Sequence, residues 1–204
     1  MTNKAEDIIP PHEEGTAVDV EDSVELSNDS EAEEFFVEVK RRLFDVNAWQ
    51  QFAGALSADF KLTDGKGNET RRAPQKGDYF KIDIPAPGIE TGEGFDWVQV
   101  EEIVEDCEGI DDYVAIRVRP ASSPVNDNSD IAHFYTDEAT SNFIIKREGK
   151  RVTAGVYGRN EKPNVKAADT LIDKIRNAVV GTGGVTGFSK LQWKALVSGL
   201  LNKK

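Results

Sequence analysis

Few side chains in this sequence are suited to catalysis. The chain has one histidine beyond residue 34, His133, and one cysteine, Cys107. A Ser-His-Asp or Cys-His arrangement would have to use His133. Cys107 lies between Asp106 and Glu108, and neighbouring carboxylates raise the pKa of a thiol, which disfavours a nucleophilic thiolate. The sequence therefore leaves the enzyme question open and favours a protein that is not an enzyme.

Two further patterns resemble known sites without completing them. The glycine-rich stretch 181–187 lacks the Gly-Lys-Ser/Thr ending of a phosphate-binding loop and follows a predicted helix, so we interpret it as a helix break. Asp111 and Asp112 are adjacent in a predicted strand, where neighbouring side chains point to opposite faces. We therefore predict no metal site and no cofactor.

Donors, acceptors and aromatic rings gather instead near the ends of predicted strands. Arg117 and Arg119 fall on one face of a strand, and such arginines either line an anion site or pair with acids on neighbouring strands. Both readings remain open. The residues that we predict to bind a ligand are Tyr79, Asp83, Trp97, Arg117, Arg119, His133, Tyr157 and Arg159.

Alternating patterns predict the strands that would position these residues. In 79–84 the apolar residues are Phe80, Ile82 and Ile84, so one face of that strand faces a core. The pattern does not decide which face of the following strand, 95–102, is buried. Segments 113–120, 142–147 and 151–157 alternate in the same way, and Glu148-Gly-Lys150 predicts a hairpin between the last two. We also predict strands at 35–44, 58–63 and 131–135.

Three-to-four-residue spacing predicts the helices. It appears in 46–56, with Asn47 as N-cap, in 169–180, and in a last helix that Ser189 caps. The fold class is therefore α+β: a single antiparallel sheet of about six to eight strands, with one short N-terminal helix and two C-terminal helices packed on it.

Charge divides the chain at residue 34. Residues 1–34 hold 12 of the 37 acidic residues and one base, whereas residues 35–204 are close to neutral. Because the first segment is rich in charge and poor in apolar residues, we predict an acidic leader over 1–34 that is disordered or ordered only on a partner, and one α+β domain over 35–204.

The composition also bears on broad function classes. The near-neutral domain and its acidic leader disfavour nucleic-acid binding, which needs a basic surface. The sequence contains neither a signal-peptide pattern nor an apolar run of 18 residues, so we expect a cytoplasmic protein without membrane insertion. The oligomeric state stays open.

Two resemblances add to this interpretation. The order of a strand at 35–44, a Trp-containing helix at 46–56, antiparallel strands to Tyr157 and a C-terminal helix resembles the helix-grip fold of START-type ligand-binding proteins. The predicted helix 169–180 is shorter than the long helix of that fold. In addition, segment 77–88 with Asp96-Trp97-Val98 resembles an uncharacterised bacterial family without assigned activity.

The resulting expectation is a non-enzymatic module that binds a small molecule or lipid between the sheet and the helices. The alternative is a protein-protein interaction or assembly protein that uses the acidic leader and exposed loops. An apolar pocket would favour the first hypothesis, and a filled core with a charged surface would favour the second.

Overall fold

A computed structural model of the protein describes residues 4–54, 57–84, 92–107, 111–164 and 185–203. Within these ranges seven strands form one antiparallel sheet, in the order β1-β7-β6-β5-β4-β3-β2. The strands are β1 Thr16–Glu25, β2 Asp59–Thr63, β3 Tyr79–Asp83, β4 Asp96–Asp106, β5 Asp111–Pro120, β6 Thr140–Glu148 and β7 Arg151–Glu161.

The same ranges contain three α-helices: α1 Asp29–Phe44, α2 Trp49–Ala53 and α3 Val185–Leu200. Two 3-10 helices, Lys4–Ile8 and Val46–Ala48, precede β1 and α2. No helix in the described ranges is long and apolar enough to cross a bilayer.

One face of the sheet, here called the inner face, packs against α1 and α3. Alternate residues of every strand point to it, as Val98 and Val100 do in β4, and they join the buried side chains of Phe36 and Leu196 in one core. Helical segments between β1 and β2, a sheet in this order and a helix after β7 form the predicted helix-grip architecture. The predicted fold class is therefore confirmed.

The opposite face, here called the outer face, carries a smaller core. Ala5 and Ile8 of the first 3-10 helix pack on Ala115, Ile144 and Tyr157. The Arg117 guanidinium also donates to the backbone oxygen of Ile8 at 2.8 Å. The N-terminal segment thus covers part of the outer face.

The predicted disorder of residues 1–34 is wrong for the described residues 4–34. β1 lies within this segment and pairs with β7 from Thr16 to Glu25, with Val18 and Val20 buried. Asp19 and Glu21 alternate with these valines, so the strand has an apolar face despite its charge. The predicted boundary at residue 35 falls inside α1.

The prediction of a strand at 35–44 is also wrong, because these residues form most of α1. Asn28 caps this helix: its Oδ1 accepts from the Glu31 amide at 2.9 Å, and its Nδ2 donates to the Glu31 carboxylate at 2.9 Å. Phe36, Val39 and Leu43 then fall at helical spacing on the buried side.

Three local predictions also fail. The segment 131–135 forms isolated bridges, Ser122 with Ile131 and Tyr135 with Pro163, and no strand. Asn47 does not cap a helix but binds the outer edge of β2, where its Oδ1 accepts from the Leu62 amide at 3.0 Å. Ser189 lies inside α3, which begins at Val185. The predicted helix 169–180 lies outside the described residues.

Candidate functional site

Two carboxyl groups are buried at one end of the sheet. Asp96 begins β4 and Glu161 ends β7, and the two strands are separated by β5 and β6. Three strand spacings correspond to about 14 Å, a distance that a small organic molecule can span. The loop 121–139 connects the two places, because Ala132 accepts from the Trp97 amide at 2.8 Å and Phe134 accepts from the Asn164 amide at 2.8 Å.

Asp96 points to the inner face of the sheet. It precedes Val98 by two residues and lies opposite Ile82 in the β3–β4 pairing, and both of these residues belong to the inner core. Asp96 is 3% exposed, and within the described part of the chain its Oδ1 has no hydrogen-bond partner. Burial raises the pKa of this carboxyl well above its usual range.

Glu161 reaches the same face through a change in the backbone. Asn160 has a φ of 56°, which interrupts the alternation of β7. The Glu161 carboxylate consequently lies over Gly158, where an added Cβ would be 2.2 Å from Oε1. Burial raises the pKa of Glu161 to about 7, although the Tyr135 hydroxyl and the Arg159 charge act in the opposite direction.

His133 lies in the loop that joins the two carboxyl positions. It is buried, stacks on Phe134 at 4.2 Å between ring centroids, and accepts the Tyr135 amide on Nδ1 at 3.0 Å. Burial lowers the pKa of His133 to about 3, so the ring is neutral at pH 7 and carries its proton on Nε2. It can donate one hydrogen bond, but it does not supply a positive charge.

The middle of the inner core is filled by aromatic rings. Trp49 lies 4.8 Å from Phe143, 5.2 Å from Phe60 and 5.5 Å from Phe80 between ring centroids. Trp193 of α3 closes the group against Phe143 at 5.3 Å. This cluster occupies the space between the sheet and α3, and it contains one buried polar atom without a partner among the described residues, Trp193 Nε1.

The eight residues predicted from sequence to bind a ligand do not form one cluster. His133 lies near the buried carboxyls, and Asp83 is exposed at the end of β3. The others are on the outer face, where Tyr79 meets the buried ring of Trp97 edge-on at 6.4 Å.

Four of these outer-face residues are bound to acidic residues. For the two arginines, this is the second alternative given above, pairing with acids on neighbouring strands. Arg117 and Arg119 both donate to Glu101, at 2.9 and 2.5 Å. Tyr157 donates to Glu21, and Arg159 pairs with Asp19.

A surface groove of about 850 Å³ lies between the end of α1 and the loop 69–73. Arg71 lines it together with three other basic residues, each of which already has an acidic partner: Arg41 with Glu38, Arg72 with Asp78 and Lys61 with Asp59. Asp45 and Glu69 also line the groove. Its charges are thus nearly balanced, which gives it no clear preference for an anion.

Sequence reasoning missed Asp96 and Glu161 as site residues. In 95–102 charged and apolar residues occur on both faces, so the pattern did not show that Asp96 shares a face with Val98. The one available signal was an acid two residues before two alternating valines. Nothing in the sequence indicates the turn at Asn160 that buries Glu161.

No protein-family model and no curated protein sequence matches this chain. Solved structures match it at low similarity. Major latex-like protein 151 from Panax ginseng is 11% identical, covers 89% of this chain and 93% of its own, and has a TM-score of 0.38. Norcoclaurine synthase from Thalictrum flavum is 9% identical over 89% and 94%, with a TM-score of 0.35.

A protein from Staphylococcus epidermidis is 14% identical over 94% of this chain and 96% of its own, with a TM-score of 0.34. At these identities and scores the similarities say nothing about function. The resemblance of segment 77–88 to a bacterial family stays a prediction.

Proposed function

We propose that this protein is a non-enzymatic module that binds a small molecule between the sheet and the helices, at the end of the sheet that contains Asp96 and Glu161. The observation that carries the proposal is the Asp96 carboxyl, which is 3% exposed and has an Oδ1 without a partner among the described residues. A buried polar atom without a hydrogen bond costs about 1–3 kcal/mol, so its presence calls for a reason.

Asp112, a third buried acid of the inner face beside Asp96 and Glu161, shows what a purely structural arrangement looks like. Asp112 lies at the opposite end of the sheet and faces Arg147 in the β5–β6 pairing. The Arg147 guanidinium contacts the carboxylate through Nε at 2.7 Å and Nη2 at 2.6 Å. Among the described residues no cation pairs with Asp96, so a ligand that donates a hydrogen bond would satisfy its Oδ1.

The surroundings of Asp96 indicate the chemistry of the ligand. The neighbours of Asp96 on the inner face, Ile82 and Val98, are apolar, and Phe134 is partly buried against the same core. Small-molecule sites commonly combine an apolar lining with a few polar groups that fix orientation. We therefore expect a mainly apolar ligand that carries a hydroxyl or amine group as donor to Asp96.

The filled middle of the inner core favours the alternative, an interaction or assembly protein, but that hypothesis loses its disordered acidic arm. The acidic residues between 16 and 25 belong to β1, and the residues before them pack on the outer face. Removing residues 1–34 would delete an edge strand and the start of α1, so a truncated chain is not a suitable test of either hypothesis.

Native mass spectrometry of the full chain tests the proposed function. The wild-type protein should retain an additional mass that disappears on denaturation, and Asp96→Asn should lose most of it because an NH2 group, which cannot accept a hydrogen bond, replaces one of the two carboxyl oxygens. Asp83→Asn is the matched control, since Asp83 is an exposed carboxyl on the neighbouring strand. Bare wild-type protein, or equal retention by both variants, would contradict the proposal.

A further inference from the structure

The two edges of the sheet differ in how they are protected. At β2, both backbone groups of Leu62 are bound: its amide donates to Asn47 Oδ1 at 3.0 Å, and its oxygen accepts from the Thr70 amide at 2.9 Å. At the other edge, β1 has ten residues and pairs only with β7 within the described part of the chain. Thr16–Glu25 contains neither Lys nor Pro, two of the residues that commonly protect edges, and the charges that it does carry are all acidic.

Hydrogen bonds at the end of β1 show which of its backbone groups point outward. The Ser23 amide donates to Asp22 Oδ1 at 2.8 Å, so it does not bind β7, whereas the Leu26 amide donates to Lys150 at 2.9 Å. Because antiparallel residues alternate in direction, Asp19 and Glu21 present their backbone groups outward, as Ser23 does. These groups can pair with an added strand.

Charge restricts what such a strand can be. β1 carries four exposed acids and no base: Asp19, Glu21, Asp22 and Glu25. Arg159 and Arg151 of β7 neutralise only the first and last of them. Two copies paired through β1 would place these carboxylates close together, which is unfavourable. A basic strand is the complementary occupant.

The two faces of β1 also differ in chemistry. Val18 and Val20 point to the inner face and are buried there, whereas the Asp19 and Glu21 carboxylates lie on the outer face. An added strand would continue both faces, with basic residues beside the carboxylates and apolar residues beside the valines. We propose that the β1 edge binds an extended peptide in which basic and apolar residues alternate.

This inference does not rest on the proposed function, since the β1 edge and Asp96 are separate. The test is fluorescence anisotropy of the full chain with a labelled heptapeptide of alternating Lys and Val. One control peptide has the same composition in blocks, and a second has N-methylated alternate residues, which cannot donate to a strand. We expect each control to bind at least tenfold more weakly, and binding of the alternating peptide to weaken with salt.

Two variants locate the binding. Glu21→Pro removes an outward amide that does not bind β7, so it should lower the affinity for the alternating peptide at least tenfold. Glu21→Gln removes one charge and should lower this affinity severalfold. Glu33→Gln, on the exposed side of α1, should leave the affinity unchanged. If Glu21→Pro does not fold by circular dichroism, the N-methylated peptide with the wild-type protein decides the question.

Several results would overturn the inference. Equal affinity for the alternating, block and N-methylated peptides would indicate nonspecific charge attraction. Absence of binding to the alternating peptide would directly exclude a peptide-binding site at the β1 edge. Self-association of the protein that Glu21→Pro abolishes would assign the edge to a second copy. Asp96→Asn should leave peptide binding unchanged, so failure of this inference is distinguishable from failure of the small-molecule proposal.

Discussion

Replacing Glu161 by Gln should remove a cost to stability that depends on pH. Burial over Gly158 raises the pKa of Glu161 from 4.5 to about 7. The folded state therefore holds this proton more tightly than the unfolded state does. Its stability is highest, as far as this group is concerned, below pH 4.5 and decreases as the pH rises to about 7.

The two pKa values give the size of the effect. A carboxyl with these values costs the folded protein under 1 kcal/mol at pH 5 and about 3 kcal/mol at pH 8. Gln has the same shape and no charge, so this cost vanishes in the variant. The free energy of unfolding of Glu161→Gln, relative to wild type, should thus increase by about 2.5 kcal/mol between pH 5 and pH 8.

Urea denaturation followed by tryptophan fluorescence at pH 5, 6, 7 and 8 measures this difference. Comparing variant with wild type is essential, because His133 titrates in both proteins and its contribution cancels. Glu33→Gln serves as control, since Glu33 is exposed on α1 and should show no such trend. A difference between Glu161→Gln and wild type that does not change with pH would refute the reasoning.

Two other substitutions test buried groups of the same face. The pKa of His133 is lowered to about 3, so the unfolded chain takes up a proton below pH 6.5 that the folded state excludes, and about 2 kcal/mol of stability is lost by pH 5. His133→Asn should therefore gain about 2 kcal/mol relative to wild type between pH 7 and pH 5 in thermal melts, a difference in which the contribution of Glu161 cancels, and a difference that does not change with pH would contradict the assignment. Asp112→Asn leaves Arg147 buried without a carboxylate and should lower the free energy of unfolding, measured by urea denaturation, by about 3–5 kcal/mol. The double replacement of Asp112 by Leu and Arg147 by Met should lower it far less. A double variant whose loss equals the sum of the losses of its two single variants would show that the pair is not coupled.

The sequence predicted the strands well where one face is uniformly apolar. In 79–84, 113–120 and the hairpin of Glu148-Gly-Lys150, alternation coincides with burial, because every second residue meets the helices. The same pattern is present in β1 as Val18, Val20 and Val24. There the high acidic content outweighed it, although charged residues on the outer face do not prevent a strand from packing its other face.

α1 was mistaken for a strand because Phe35 to Phe44 is rich in aromatic and β-branched residues. Such residues favour strands only where packing does not decide otherwise. The capping pair Asn28 and Glu31 contained the missing information, since it marks a helix start seven residues earlier. A helix that begins there places Phe36, Val39 and Leu43 on one side.

The candidate site could not be predicted because it depends on contacts distant in sequence. Asp96 is buried by the pairing of β4 with β3 and by the loop around Ala132, and Glu161 by the backbone conformation of Asn160. Neither contact has a local signature. His133 was selected as the sole histidine of its region, and the structure places it in the loop that connects the two carboxyls.

The two buried aspartates of β4 and β5 on the inner face, Asp96 and Asp112, differ in their partners. Asp112, at one end, forms an ion pair with Arg147, an arrangement whose attraction offsets the cost of burial. Asp96, at the other end, pairs with no cation in the part of the chain that the structure describes, and an acid that served packing alone could be replaced by Asn or Leu without loss. The proposed ligand gives the Asp96 carboxyl a partner that packing alone does not provide. A retained mass that Asp96→Asn releases while the free energy of unfolding stays equal or rises would show that Asp96 serves binding at the expense of stability.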